Sequence, residues 1–331
     1  MNRRAKTTGI PILIALFLFV FIAFALLYGF LDSADPSSVN RLSSSGEGGS
    51  SQGGSSSSSE DSYSGGAPEG GYSNYDESRY DIVHMSPSDI SKGNLILINH
   101  NHSYEIPDDI DLVLLEEHST ESYMVTGEDL LLASHIVAPL NEMMDAFFEE
   151  TGRNTVSVIS AFRSYDRQRE IYDEYVELVG PDEARMWAAL PGHSEHHAGL
   201  AIDFGFYQYG VVRTFLGVGV NAWFRENSHN FGFVLRYDYP KSHITFTAYE
   251  PWHFRYVGLP HSHFMFNNDL ALEEYVDFIA QHTADEPYRA MFGDVLYEVF
   301  FTSDTSIGVP WDLEADISGN NIDGFIVTVR Q

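Results

Sequence analysis

Hydrophobic and polar positions divide the chain before any motif is considered. Residues Ile10 to Leu31 carry no charge and are rich in Leu, Ile, Phe and Ala, and about 20 apolar residues suffice to cross a bilayer as a helix. From Ser33 to about Ser78, Ser and Gly dominate, most of all between Gly48 and Ser59. Too few apolar side chains remain there to offset the entropy of ordering, so a disordered tether is expected. Globular patterning begins near Tyr80. The run Asn94–Asn99 (NLILIN) predicts a short buried strand. Leu131, Ile136, Leu140, Met143, Met144 and Phe147 recur at helical spacing and predict a helix over 130–150. Thr155–Phe162 alternates as a strand does, and Ser164 is placed to cap a helix carrying Ile171, Tyr172, Tyr175 and Val176. Further strands are predicted for Gly199–Phe206 and His243–Glu250. A helix with Leu272, Tyr275, Phe278 and Ile279 follows, then a hairpin, and a turn leading into a strand within Asn320–Arg330. Helices and strands in this order predict an α+β domain: a small antiparallel sheet with flanking helices.

Charge gives the apolar run a direction. Arg3, Arg4 and Lys6 precede it and Asp32 and Asp35 follow, which keeps the N-terminus cytoplasmic and exports the rest. Ala23-Phe24-Ala25 has the small-residue spacing of a signal cleavage site, but the run continues through Leu26, Leu27 and Phe30, favouring an uncleaved single-pass anchor in the cell membrane. The expected organisation is a cytoplasmic N-terminus over 1–9, a transmembrane anchor over 10–31 and a linker over 32–79. An extracytoplasmic globular domain over 80–268 and a C-terminal extension over 269–331 complete it. The chain has no cysteine, which excludes disulfides, thiolate metal ligands and a cysteine nucleophile. A metal would have to be held by His, Asp or Glu, a donor set that suits catalytic zinc better than structural zinc. A net charge of -30 argues against nucleic acid as a partner.

Several fragments converge on metal chemistry. In Pro191-Gly-His-Ser-Glu-His-His-Ala-Gly-Leu-Ala-Ile-Asp203, a strand from Gly199 would put Ala201, Asp203 and Gly205 on one face. Small neighbours around an inward carboxylate leave room for an ion, and His196 lies in the turn leading into that strand. In Glu250-Pro-Trp-His253 a carboxylate ends the apolar row Ile244, Phe246, Ala248, an environment that raises its pKa and suits general-base work. Pro251 predicts a bulge or turn that brings His253 round to Glu250. In Ser160-Ala-Phe-Arg-Ser-Tyr165, with Gln168 a turn later, Arg163 at a strand end can hold a carboxylate or stabilise an oxyanion. Lys241 adds positive charge near the cleft mouth. Each fragment alone recurs by chance among 14 histidines and 48 acidic residues; the completeness of the set singles it out. His100 with His102 and His261 with His263 also have ligand spacing, and are read as surface or turn residues.

These residues resemble the VanY-like zinc D-alanyl-D-alanine carboxypeptidases. The family pattern S-x-x-R-S-x-x-x-Q, P-G-x-S-E-H-x-x-G-L-A-x-D and E-P-W-H-F-R-Y-V-G is met by Ser160, Arg163, Ser164 and Gln168, by Pro191 to Asp203, and by Glu250 to Gly258. The resemblance implies the zinc D-Ala-D-Ala peptidase (hedgehog- and lysostaphin-like) fold, and removal of the terminal D-alanine from peptidoglycan stem peptides. It implies His196, Asp203 and His253 as Zn2+ ligands, Glu250 as catalytic base and Arg163 as electrostatic stabiliser. Ser160, Tyr165, Gln168 and Ser194 are the candidates to line the substrate. The chain departs from its relatives at Ala161-Phe162, His197-Ala198, Tyr237 to Pro240 and Phe246-Thr247, positions that bear on specificity. An L,D-carboxypeptidase or endopeptidase on the same scaffold is the alternative. A non-catalytic wall-peptide-binding module is the other, and the presence of Glu250 argues against it.

Overall fold

In the computed structural model the described residues are 79–239 and 241–331. The predicted anchor over 10–31 and nearly all of the linker lie outside them, and among the described residues no helix is long and apolar enough to cross a membrane.

Strand β1 (Tyr80–His84) opens the described chain, followed by β2 (Leu112–Leu114), β3 (Met124–Val125), β4 (Leu131–Ala133) and helix α1 (Val137–Thr151). Strand β5 (Val156–Ser160) leads to α2 (Tyr165–Val179) and α3 (Pro181–Trp187), then to β6 (Ala201–Gln208) and β7 (Val211–Thr214). Next come α4 (Trp223–Asn227), β8 (Phe233–Leu235), α5 (Ser242–Thr245) and β9 (His253–Tyr256). Helices α6 (His261–Asn267) and α7 (Leu272–Ile279) precede β10 (Tyr288–Phe292), β11 (Val295–Thr302), β12 (Ser306–Pro310), β13 (Glu314–Gly319) and β14 (Phe325–Arg330).

The central sheet runs β3-β5-β6-β9-β8 with β7 also on β6. Only the short β3–β5 pair is parallel; β6 is antiparallel to β5, β7 and β9. Helix α1 covers one face. Its Leu140, Met143, Met144 and Phe147 pack with Val156, Val158, Ile202, Phe204 and Phe254 in one core. The helix starts at Val137, later than the apolar stripe suggests, because Leu131–Ala133 pairs with β2 as a strand. Gly152, in the left-handed conformation, ends it. Ser164 caps α2 as expected, its hydroxyl accepting from the Arg167 N–H at 3.2 Å.

Two predicted strands are absent. Leu95 to Ile98 are fully buried, yet no strand pairs with them: side chains and single loop contacts satisfy their backbone instead. Leu95 N–H donates to Ser318 Oγ and Leu97 N–H to the Asn320 carbonyl, while Arg255 Nη2 donates to the carbonyls of Asn94 and Ile96. Over 243–250 the alternation is also misleading. The free edge of β6 is already taken by β9 and β7, so this segment makes the turn α5, and Phe246 follows with φ +55° and is 55% exposed. The apolar row ending at Glu250 therefore does not form.

The C-terminal strands build a sheet of order β10-β11-β14-β13. Leu272, Tyr275, Val276, Ile279, Val299 and Ile326 share a second core with Leu95, Leu97, Val234 and Val257, so residues 269–331 lie against the elements that hold the site. His261 is not a surface residue: it is buried between the Tyr275 and Thr328 hydroxyls.

Candidate metal centre and active site

Strand register assembles the site. Asp203 on β6 is opposite Ser160 on β5 and His253 on β9, so three residues distant in sequence stand side by side. The 3-10 turn Glu195–Ala198 carries His196 against them and ends at Gly199. Gly199 has φ +67°, and a Cβ there would meet Leu112 Cδ2 at 2.7 Å, so a larger residue would strain this entry into β6.

His196 Nε2 lies 3.2 Å from Asp203 Oδ2, and His253 Nδ1 lies 3.1 Å from Asp203 Oδ1. One donor atom from each of the three falls within 4.8 Å of the others. Hydrogen bonds select the tautomers. His196 Nδ1 donates to the Ala161 carbonyl at 2.6 Å, leaving Nε2 as the lone pair facing the site. His253 is held at Nε2 by Glu195 Oε2 at 3.3 Å, which presents Nδ1. Asp203 Oδ1 is buried without a hydrogen-bond partner. A buried carboxylate oxygen without a hydrogen-bond partner, facing the His253 Nδ1 while its twin faces His196 Nε2, is costly unless a cation completes it. These donors fit a divalent ion.

Electrostatics agree. Burial opposes ionisation of Asp203, but the charges and contacts of His196 and His253 overcome it and hold the carboxyl well below its usual range. Burial, with Arg163 beside it, lowers His196 to about 4, so it is neutral. Burial opposes charge on His253 too, but the Asp203 and Glu195 carboxylates push it up to about 9.

Glu250 Oε2 lies 3.6 Å from His253 Nδ1. The turn at Pro251–Trp252 predicted from the sequence is present, closed by the His253 N–H donating to the Glu250 carbonyl at 3.1 Å. Burial raises Glu250 to about 8; Asp203 reinforces this against His253 and Arg163. Arg163 Nη2 is 3.3 Å from Asp203 Oδ2 and donates to Ser160 Oγ at 2.9 Å, while Nη1 donates to Gln168 Oε1 at 2.8 Å.

Among the residues predicted to line substrate, Ser160 and Gln168 therefore grip Arg163, and Gln168 also donates to the Ala189 carbonyl. Tyr165 turns its hydroxyl to the Tyr104 carbonyl and the Ile106 N–H. Ser194 is buried at the start of the 3-10 turn. Lys241 is paired with Glu274 and Asp269.

The sequence reading missed a buried ionic cluster behind His253. Glu195 Oε1 accepts from Arg236 Nε at 2.7 Å and from Arg255 Nη1 at 2.9 Å. Arg236 in turn makes a two-point contact with Glu273, contributed by α7. Burial would raise Glu195, but Arg236 and Arg255 outweigh it and hold the carboxyl far below its usual range. A signal existed for Arg255: two residues after His253 on a strand, it must share that ligand's face.

The VanY family model, described as D-alanyl-D-alanine carboxypeptidase, matches residues 129–259. A D-alanyl-D-alanine carboxypeptidase of Enterococcus faecium is 33% identical over 253 residues, covering 74% of this chain and 78% of the relative. The bifunctional D-Ala-D-Ala dipeptidase and carboxypeptidase VanXYC of Enterococcus gallinarum is 38% identical over 130 residues, covering 38% of this chain and 68% of that one. The crystal structure of the D,D-dipeptidase VanXYg with a D-Ala-D-Ala phosphinate analogue superposes with a TM-score of 0.67 at 32% identity, covering 76% of this chain and 99% of that one.

Proposed function

The chain belongs to the VanY family of D-alanyl-D-alanine carboxypeptidases, and on that premise we propose that it removes the terminal D-alanine from peptidoglycan stem peptides in a zinc-dependent reaction at the outer face of the membrane. The observation that supports the zinc dependence is the buried Asp203 carboxylate, its two oxygens facing His196 and His253 and Oδ1 without a hydrogen-bond partner, with the Glu250 carboxylate 3.6 Å from His253. Zinc held by these three residues would act as a Lewis acid toward the scissile carbonyl, lower the pKa of water, and favour the ionised form of Glu250.

Glu250 takes a proton from the attacking water as its oxygen bonds to the carbonyl carbon. It then delivers that proton to the amide nitrogen as the C–N bond breaks and D-alanine leaves. Arg163, held by Ser160 and Gln168, offsets the negative charge that grows on the carbonyl oxygen. Gripped from both sides, it needs no reorganisation to do so. The uncharged run 10–31 with its basic leading flank supports a membrane anchor.

The test offers the full chain synthetic stems ending in D-Ala-D-Ala or in L-Lys-D-Ala and follows released D-alanine. The D,D stem should be cut, a chelator should stop release and zinc restore it, and Glu250→Ala should lower the rate about 10²–10⁴-fold. Release that survives both Glu250→Ala and the chelator would refute the mechanism, and preference for the second stem would reassign the specificity. Protease accessibility of the catalytic part in intact cells checks the location.

A further inference from the structure

A second pair of histidines stands together outside the site described above. His229 lies in the 3-10 turn Ser228–Phe231 ahead of β8, and His263 lies in α6. Their ring centres are 5.4 Å apart. The Nδ1 atom of each is buried and has no hydrogen-bond partner, the condition that also marks Asp203 Oδ1. Aromatic neighbours hold both rings. Phe266 stacks on His229 at 3.8 Å with the planes 4° apart, and Phe292 meets His263 edge-on at 5.1 Å. The Ser262 hydroxyl donates to the His229 carbonyl at 2.8 Å, which ties α6 to the turn. His263, read from the sequence as a surface or turn residue, is therefore half-buried in a helix.

A buried polar nitrogen without a partner is rare and costly, and two in adjacent rings call for one cause. A hydrogen bond between them is not that cause, since neither nitrogen has a partner. Protonation is not either: burial, with His263 beside it, lowers His229 to about 4, so its ring is uncharged at neutral pH. Neutral imidazoles sharing one tetrahedral ion at about 2.1 Å stand with their centres roughly 5 Å apart. The two histidines of the proposed zinc site, His196 and His253, have theirs at 5.0 Å. We propose that His229 and His263 form a second site for a divalent ion of the zinc, copper or nickel kind, held through both Nδ1 atoms. Imidazole donors favour these ions over magnesium or calcium. His229 borders an open cavity, which gives the ion a way in and leaves its other positions to water. The ion clamps the turn ahead of β8 to α6.

The experiment dialyses the full chain against zinc at rising free concentration and measures bound metal and the unfolding midpoint. The parent should take two equivalents, the second more weakly because only two side chains hold it, and the midpoint should climb as the second fills. H229F keeps a ring to stack on Phe266 but offers no nitrogen. It should take one equivalent, lose that climb, and release D-alanine as the parent does. A parent that takes only one equivalent overturns the inference, a buried water then satisfying both nitrogens. An H229F/H263F double variant that still takes two overturns it as well. The parent alone supplies a readout that no misfolded variant can spoil: 15N NMR of its imidazole rings as zinc is added beyond the first equivalent. The Nδ1 signals of His229 and His263 should move together, and signals that stay fixed overturn the proposal.

Discussion

Replacing Glu195 tests whether the buried cluster, and not the metal site by itself, holds the catalytic strand in place. Glu195→Ala removes three contacts at once: Arg236 Nε at 2.7 Å, Arg255 Nη1 at 2.9 Å and His253 Nε2 at 3.3 Å. Arg236 keeps Glu273, and Arg255 keeps the carbonyls of Asn94, Ile96 and Tyr256, so neither guanidinium is stripped bare. Two buried cations then face one remaining carboxylate, and breaking a buried pair in this way costs about 3–5 kcal/mol. With a denaturant slope of about 3 kcal/mol per molar, the urea midpoint of the metal-free chain should fall by roughly 1–1.7 M. Glu195→Gln keeps the shape but not the charge and should lose less. The loss should also depend on pH. Because the folded state holds Glu195 far below its usual range, its contribution is complete above the ordinary glutamate range and is lost progressively as pH falls from that range toward the lower folded value, so parent and Gln variant should converge only in strong acid. A second readout is zinc affinity, expected to drop about 10–100-fold when His253 loses its orienting partner. A midpoint shift under 0.3 M together with unchanged zinc affinity would refute the reasoning.

Other outcomes follow from the same geometry. Arg163→Lys keeps the charge but cannot reach Ser160 and Gln168 together, so kcat for D-alanine release should fall about 10²-fold while zinc uptake, measured by competition with a chelating dye, is retained. Burial lowers His261 to about 3; a depressed folded pKa means that its contribution is intact above about 6.5 and is lost as pH falls. It should weaken folding by about 2 kcal/mol between pH 7 and pH 5. An NMR titration in which the His261 ring protonates near 6.5 would contradict that.

The chemistry was legible in the sequence because it rests on residue types in short order. Asp203 with small neighbours on a strand, Glu250 just ahead of the Pro251–Trp252 turn to His253, and a capped helix after Arg163 all describe local geometry, and local geometry survives into the fold. The absence of cysteine decided the donor set by elimination. Tertiary structure decided what depended on vacant positions elsewhere. Ile244, Phe246 and Ala248 alternate like a strand, but pairing needs an open edge, and β7 and β9 had filled that of β6. Asn94–Asn99 is as buried as a central strand, yet Arg255, Ser318 and Asn320 satisfy its backbone from distant parts of the chain. Glu195 is one acidic residue among 48 until Arg236, Arg255 and, through Arg236, Glu273 converge on it. Periodicity states which face a residue prefers; only the assembled fold states what already stands there.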